Sequence, residues 1–282
     1  MKSNAVLRIV IYSILALILI IALIAGLLVR NFAIDFKFGF SEIQGTRGSS
    51  GSVNAADVQA LKIEWVAGNV KVQPGDTDQI TFQEDEGLAE KDQLIWDLSG
   101  NCLTIHYMQP RVNIGISVEI SKDLIITVPK EWICTDLEVN AVSAIVDVTG
   151  LQIDTVEFEG VSGTCNFHDC DVGAMNIESV SGNIQFSGTM KKLDCESMSS
   201  NVTAVFFTIP SNINIESMSG DIDLTLPSDC GFRVEMDALS GDFYSEFPTT
   251  NNNGSYIHGN EQCLINIDAM SGDVTIRKNI AN

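Results

Sequence analysis

A short phrase recurs along the second half of the sequence and restricts the fold more than any other feature. Two clear copies are INIESMSGDIDL, which begins at Ile213, and LINIDAMSGDVTI, which begins at Leu264. With the central serine as the reference, the copies follow one another at steps of 19, 19, 18, 20, 21 and 31 residues, on Ser143, Ser162, Ser181, Ser199, Ser219, Ser240 and Ser271. A fixed period near 20 residues is typical of stacked repeats.

Apolar residues occupy four positions of every copy: six, four and one residues before the serine and three residues after it. The first two positions are two residues apart, as in a strand that buries one face. Glycine follows the serine in five copies, with Ala144 and Ser200 as the exceptions, and it suits a tight corner. Stacked copies of strand, corner and strand share one core. The sequence therefore predicts an all-β, parallel β-solenoid (β-helix) with about 19–21 residues per coil.

An uncharged apolar stretch of 21 residues begins at Ile9 and ends at Val29. This length matches one membrane-spanning helix, and Lys2 and Arg8 before it predict a cytoplasmic N-terminus. The alternative is a cleaved signal peptide, which has a shorter apolar core and a small-x-small cleavage site. Residues 27–30 make a poor site of that kind. We therefore expect an uncleaved anchor in the lipid bilayer and a single-pass protein of the cell membrane with its C-terminal domain outside the cytoplasm.

The chain is predicted to divide into four parts. Residues 1–8 are a cytoplasmic N-terminus, 9–29 the transmembrane helix, 30–57 a tether rich in glycine and serine near its end, and 58–282 the β-solenoid ectodomain. Within the ectodomain, residues 58–130 are a diverged N-terminal cap region and 131–282 the regular coils. Residues 73–123 lack the period, and we expect them to pair partly antiparallel, as the terminal caps of solenoids often differ from the repeats.

The chain carries 37 acidic and 16 basic side chains, a formal net charge of −21. Such a charge repels nucleic acid, so no nucleic-acid partner is expected, and it favours cationic partners or simple solubility.

Acidic residues recur three positions before the serines, on the outward side of the predicted strands. We call this set the carboxylate column: Glu159, Glu178, Glu196, Glu216, Asp237 and Asp268. In a parallel stack in register, neighbours lie about 5 Å apart and repel by only about 0.8 kcal/mol in water. Two interpretations stay open: a solvated face, or a strip that binds Ca²⁺ or a basic partner. Past the corner, Asp221, Asp242 and Asp273 are predicted to accept hydrogen bonds from backbone N–H groups.

No arrangement in the sequence predicts catalysis. The repeated Ser-Gly pairs lack the Gly-x-Ser-x-Gly pattern of a nucleophile elbow, and the three histidines stand in unrelated places. A polysaccharide lyase would need Arg or Lys beside the acids, and the coils carry few basic residues. The seven cysteines contain no C-x-x-C pair; we interpret Cys165 and Cys195 as small buried hydrophobes and expect neither a disulfide framework nor a zinc site.

Two features near the C-terminus bear on partners. Residues 244–261 are the only long insertion among the repeats and are predicted to project as a loop. The last coil ends at Ile276, and an open sheet edge there would allow an oligomer, unless Arg277, Lys278 and Asn279 prevent further pairing.

The segment LIITVP from Leu124, the ladder of apolar-Ser-Gly-Asp copies and the N-terminal anchor together resemble a bacterial β-strand-repeat family catalogued as "putative adhesins" of unknown function. The resemblance runs from Val58 to Lys278. It implies the solenoid fold and no catalytic residues, and some members are membrane-anchored and encoded near envelope-stress systems.

We therefore predict a non-enzymatic, membrane-anchored interaction module outside the cytoplasm, adhesin-like or envelope-sensing. Its partner would be an envelope protein, a cationic peptide or a surface ligand. No cofactor is expected, and Ca²⁺ is the one ion that the carboxylate column would suit. The alternatives are a carbohydrate-active, lyase-like β-helix enzyme and a Ca²⁺-stabilised structural spacer.

Overall fold

The structure is a computed structural model, and it describes residues 43–108, 121–252 and 255–279. Among these residues no helix has the length and hydropathy needed to cross a membrane. The predicted transmembrane helix that begins at Ile9, the preceding residues 1–8 and the first part of the predicted tether lie outside the described residues.

The described chain is almost entirely β-structure, with two short 3-10 helices at Ala55–Asp57 and Glu90–Asp92. The strands are β1 (Thr46–Arg47), β2 (Ser50–Asn54), β3 (Ala60–Gly75), β4 (Gln79–Glu84), β5 (Ile95–Ser99), β6 (Cys102–His106), β7 (Leu124–Pro129), β8 (Ile133–Thr149), β9 (Gln152–Phe206), β10 (Asn212–Ser219), β11 (Ile222–Pro227), β12 (Phe232–Ser240), β13 (Phe243–Ser245), β14 (Thr250–Asn252), β15 (Ser255–His258), β16 (Cys263–Ser271) and β17 (Val274–Asn279). The predicted all-β fold is confirmed.

Successive coils stack in parallel and in register, as the repeat predicts. Every repeat contributes one pass before its corner and one pass after it, and β9 alone carries the three coils of Ser162, Ser181 and Ser199. Before the corner, β3, β8, β9 and β10 follow one another in parallel; after it, β3, β8, β9 and β11 do the same. The apolar positions face inward: Ile213, Ile215 and Ile222 are at most 1% exposed.

The serine and glycine of the repeat are explained by the corner. The Ser181 hydroxyl donates to the Val161 carbonyl of the preceding coil (3.2 Å), and Ser162 and Ser219 make the equivalent bond. Gly182 has a φ of +133°, and a Cβ atom built on it would lie 1.8 Å from the Gly163 carbonyl oxygen. Only glycine tolerates both this φ and this approach.

The apolar position directly before the serine faces outward. It lies two residues after the carboxylate column, so its side chains are on the same outer side of the strand. They are half-buried at Val161, Val180 and Met218, while Leu239 is 68% exposed. The inward position beside it holds small residues such as Ala141 and Ser217, which leave room for the chain to turn.

The last coil of the sequence is not the last coil of the stack. Strand β16 pairs with β10 on one side and with β12 on the other, and β17 lies likewise between β11 and β13. The coil of Ser271 is therefore inserted between the coils of Ser219 and Ser240. We call it the inserted coil.

The predicted open edge after the last coil is therefore wrong. Both passes of the inserted coil have neighbours, and the stack ends on the coil of Ser240, whose β12 pairs antiparallel with β15 of the insertion. The insertion is not a plain loop either: β15 also pairs with β14, so it extends the sheet beyond β12. Lys278 lies over the ring of the buried Phe247 (5.0 Å), which packs against the end of the stack.

The other end of the stack is capped by antiparallel strands. Strands β6 and β7 form an outer coil on β3, and β5 and β4 pair antiparallel with them. Strands β1 and β2 add to β5 and β4, so residues 46–54 of the predicted tether are part of the sheet. These two strands consist mostly of small and polar residues and pair through backbone hydrogen bonds, so composition alone does not predict them.

A buried ion pair lies inside this cap. The Lys122 ammonium donates to the Glu84 carboxylate and to the Tyr107 carbonyl, and to the Asp92 carbonyl at 2.9 Å. Burial lowers the pKa of Lys122 and raises that of Glu84, although each partner opposes the shift of the other. The fully satisfied donors make this pair a structural element of the cap.

Candidate functional site

The register places the carboxylate column in one row on the outer face of the stack. Glu196 pairs with Glu216, Glu216 with Asp268, and Asp268 with Asp237. The predicted alignment is present, but its order differs: Asp268 stands between Glu216 and Asp237 because it belongs to the inserted coil.

The column stands apart from the other polar rows through its lack of partners. Among the described residues, no side chain or backbone group hydrogen-bonds or ion-pairs with its six carboxylates. Two positions earlier in each strand, by contrast, the Asn214 amide donates to Asp194 (2.5 Å) and the Asn266 amide to Asn214 (2.8 Å). The earlier row is cross-linked by amides, whereas the carboxylate column is open to an external partner.

The column continues toward the N-terminal cap, where its charge is compensated. Glu64 occupies the same position in β3; it accepts a hydrogen bond from His106 (2.8 Å) and lies 3.5 Å from Lys62. Burial opposes ionisation of Glu64, but His106 and Lys62 together lower its pKa. Lys62 also binds Glu138 (2.7 Å). The uncompensated part therefore begins at Glu159.

Like charges affect the first member of the column. Burial, and then the negative charges of Glu178 and Glu138, raise the pKa of Glu159. Ionised Glu159 thus costs the folded state some free energy, which a cation bound beside it would relieve.

A groove of about 880 Å³ lies over the coils at the C-terminal end of this face. We call it the acidic groove; its carboxylate lining consists of Asp194, Glu196, Glu216, Glu235, Asp237 and Asp268. No lysine or arginine is among its lining residues, although Arg233 lies 3.8 Å from one of them, Glu235. Glu159 and Glu178 belong to the carboxylate column but lie outside the groove.

One polar group in the groove was not indicated by the sequence. Ser255, the first residue of β15, lines the groove, and its buried Oγ has no hydrogen-bond partner within the described part of the chain. The pairing of β15 with β12 places Ser255 in the groove. The sequence does not predict this pairing, because Ser255 belongs to a polar insertion without the repeat pattern.

The geometry suits an extended cation better than a single metal ion. Within the described ranges, no group of three or more His, Cys, Asp or Glu residues is arranged to hold a metal. Carboxylates in a row point the same way at strand spacing, whereas Ca²⁺ takes six to eight oxygens that converge at about 2.3–2.6 Å.

For two of the corner aspartates, Asp221 and Asp273, the predicted hydrogen bond from a backbone N–H group is confirmed, whereas Asp242 takes part through its backbone N–H. The Asp273 N–H donates to Asp221 Oδ1 (3.0 Å), and the Asp242 N–H donates to Asp273 Oδ1 (2.9 Å). These hydrogen bonds join the inserted coil to its two neighbours in the stack, so the corner aspartates have a structural role.

The described histidines form no catalytic group. His106 is bound to Glu64 in the cap, His258 Nδ1 contacts the Pro248 carbonyl (2.8 Å), and His168 is exposed on β9. None of them lines the acidic groove, which holds neither a base paired with a nucleophile nor a cationic side chain.

Three solved structures are similar to this chain at low identity, and two of them carry adhesion-related names. A "putative adhesin" from Bacteroides fragilis is 13% identical, covering 82% of this chain and 96% of its own, with a TM-score of 0.45. A "putative cell adhesion protein" from Clostridium sporogenes is 11% identical, covering 84% and 100%, with a TM-score of 0.39. A "putative lipid binding protein" from Parabacteroides distasonis is 13% identical, covering 83% and 97%, with a TM-score of 0.33. Likenesses this weak transfer no function.

No curated protein matches the sequence. The family model named Toastrack DUF4097 matches it twice, over residues 58–190 and 136–277, which together run from the start of β3 through the inserted coil. Two overlapping matches are expected for a chain built of one repeated unit, and they agree with the resemblance seen in the repeat. The chain belongs to the Toastrack DUF4097 family.

Proposed function

We propose that this protein is a non-enzymatic interaction module, anchored in the cell membrane by residues 9–29, whose acidic groove binds a cationic segment of an envelope protein or peptide outside the cytoplasm. The observation that carries the proposal is the row of carboxylates in register, without internal partners, that lines the groove.

A basic peptide fits the groove chemically. Its ammonium or guanidinium groups would compensate neighbouring carboxylates that now repel one another, and the unpartnered Ser255 hydroxyl offers a hydrogen bond to its backbone. Outward Met218 and Met270 lie beside the column and supply adaptable apolar contacts. A lyase would need a basic residue among the acids, which the groove lining lacks.

The test measures binding of a fluorescent ten-residue oligolysine to the full-length protein in lipid nanodiscs by fluorescence anisotropy. Replacing three groove carboxylates (Glu196→Gln, Glu216→Gln, Asp268→Asn) is expected to weaken binding at least about tenfold, equivalent to about 1.4 kcal/mol. Added salt should weaken wild-type binding as well, since exposed charges are screened.

A matched control removes the same charge elsewhere. The exposed residues Asp57, Glu86 and Glu131, which do not line the groove, are changed to their amides, and binding should change less than about twofold. An equal loss in both variants would mean that net charge alone attracts the peptide, and the groove would not be a binding site.

A second experiment tests the topology. Intact cells that produce the protein should bind the same peptide on their outside, and binding only after lysis would overturn the proposed topology.

A further inference from the structure

Two buried cysteines meet at the place where the order of coils departs from the order of the sequence. Cys230 lies in the connection from β11 to β12, and Cys263 is the first residue of β16 in the inserted coil. Both are 0% exposed. Cys263 pairs directly with Phe232, two residues after Cys230, and the Cys230 thiol donates to the Gly231 carbonyl (3.7 Å). All seven cysteines are free thiols in the structure.

The connection that carries Cys230 passes directly over the start of the inserted coil. Strand β12 pairs with β16 rather than with β10. After Pro227 the chain therefore passes over the position that the inserted coil occupies before β12 begins. The Cys230 N–H donates to the Pro227 carbonyl (2.9 Å), and the Cys263 N–H donates to the Gly231 carbonyl (3.0 Å). A Cβ atom on Gly231 would lie 2.6 Å from the Asn260 nitrogen, so the two backbones touch.

The two thiols differ in acidity. The nearby Cys263 thiol lowers the pKa of Cys230, and the Cys230 thiol, together with burial, raises that of Cys263. Elsewhere burial raises the pKa of Cys134 and of Cys195 to about 12. Exchange with a disulfide needs one of the two thiols as a thiolate, because the thiolate is the reactive form.

We propose that Cys230 and Cys263 are a disulfide-forming pair that locks the inserted coil into the stack when the chain folds in the presence of an oxidising disulfide. The Cys230 thiolate attacks one sulfur of that compound, forms a mixed disulfide and releases one thiolate. Cys263 then loses its proton and attacks the Cys230 sulfur, which expels the second thiolate. Two cysteine thiols are oxidised by two electrons, and one disulfide is reduced to two thiols.

The bond would link the two ends of a segment that contains β12 to β15. Cross-linking the ends of such a long loop restricts the unfolded chain strongly. Because both sulfurs are fully buried, exchange takes place while the chain folds, before the inserted coil covers Cys230. The bond would hold β15, and with it Ser255, against the acidic groove.

The test follows the full-length protein as it refolds in detergent from urea across a series of reduced to oxidised glutathione ratios. Free thiols are alkylated in denaturant, and the disulfides are mapped by peptide mass spectrometry. We expect one bond, between Cys230 and Cys263, with the other five cysteines alkylated. Alkylation of both residues at every ratio, or bonds scattered among the seven cysteines, would overturn the proposal.

A second readout is the effect of reductant on thermal unfolding. Dithiothreitol should lower the melting temperature of the oxidised wild type and of a Cys102→Ser control, which keeps the pair. It should leave Cys230→Ser unchanged, whatever the starting stability of that variant. An oxidised wild type whose melting temperature does not respond to reductant would show that the bond does not lock the coil.

Discussion

A Cβ atom at each glycine of the corner would meet a carbonyl oxygen of the neighbouring coil. The distances are 1.8 Å at Gly182, 2.1 Å at Gly220 and 2.0 Å at Gly241, all at positive φ. Ala144 and Ser200 fill the same position without a positive φ, so those two corners have a different backbone. Glycine is therefore required by contact between coils in the five corners where it occurs.

Replacing Gly182 by alanine should lower the free energy of unfolding by more than about 3 kcal/mol, because backbone strain and overpacking against Gly163 add together. Gly100 is the matched control, since its φ is +62° but nothing lies within 4 Å of its Cβ position. Gly100→Ala should cost only about 1–2 kcal/mol, from φ alone. Urea unfolding of both variants makes the comparison; equal losses would contradict the contact argument.

The raised pKa of Glu159 gives a pH dependence with a definite sign. A carboxyl whose pKa is raised in the folded state destabilises that state while ionised, and this cost disappears below the unfolded pKa, about 4.3. Glu159→Gln should therefore raise the free energy of unfolding at pH 7, by less than about 1 kcal/mol because the site is exposed. The gain should shrink to zero as the pH falls toward 4. Exposed Glu131, outside the column, is the control; an equal gain in Glu131→Gln would contradict the column effect.

At the scale of elements, the strands, the corners and the register could be predicted from the repeat. Burial inside the stack explains its inward apolar positions, and the tight corner explains its small ones. The repeat predicts the carboxylate column as well. The order of the coils could not be predicted, since Ile213 matches Val234 and Ile265 equally well and every coil offers the same rows to its neighbour. The 31-residue step before Ser271 is the only trace of the insertion. Ser255 enters the groove through that unpredicted pairing.

At the scale of the whole stack, the inserted coil fixes which exposed residues are neighbours, and cross-linking can test it. Glu216 and Asp268 are directly paired, as are Asp268 and Asp237. Paired parallel strands lie about 4.8 Å apart, within the Cα range of a disulfide, whereas strands two coils apart, at about 9.6 Å, are too distant.

In a Cys102→Ser background, where the remaining native thiols are buried, Glu216→Cys with Asp268→Cys should form a disulfide under mild oxidation. Asp268→Cys with Asp237→Cys should do so too, whereas Glu216→Cys with Asp237→Cys should stay reduced. Non-reducing peptide maps report each pair. Stacking in sequence order would instead link 216 with 237 and leave 216 and 268 apart, so the three variants decide between the two orders. The observed order would also mean that the groove is complete only after β16 has been inserted between β10 and β12, because β16 carries Asp268, which lies between Glu216 and Asp237.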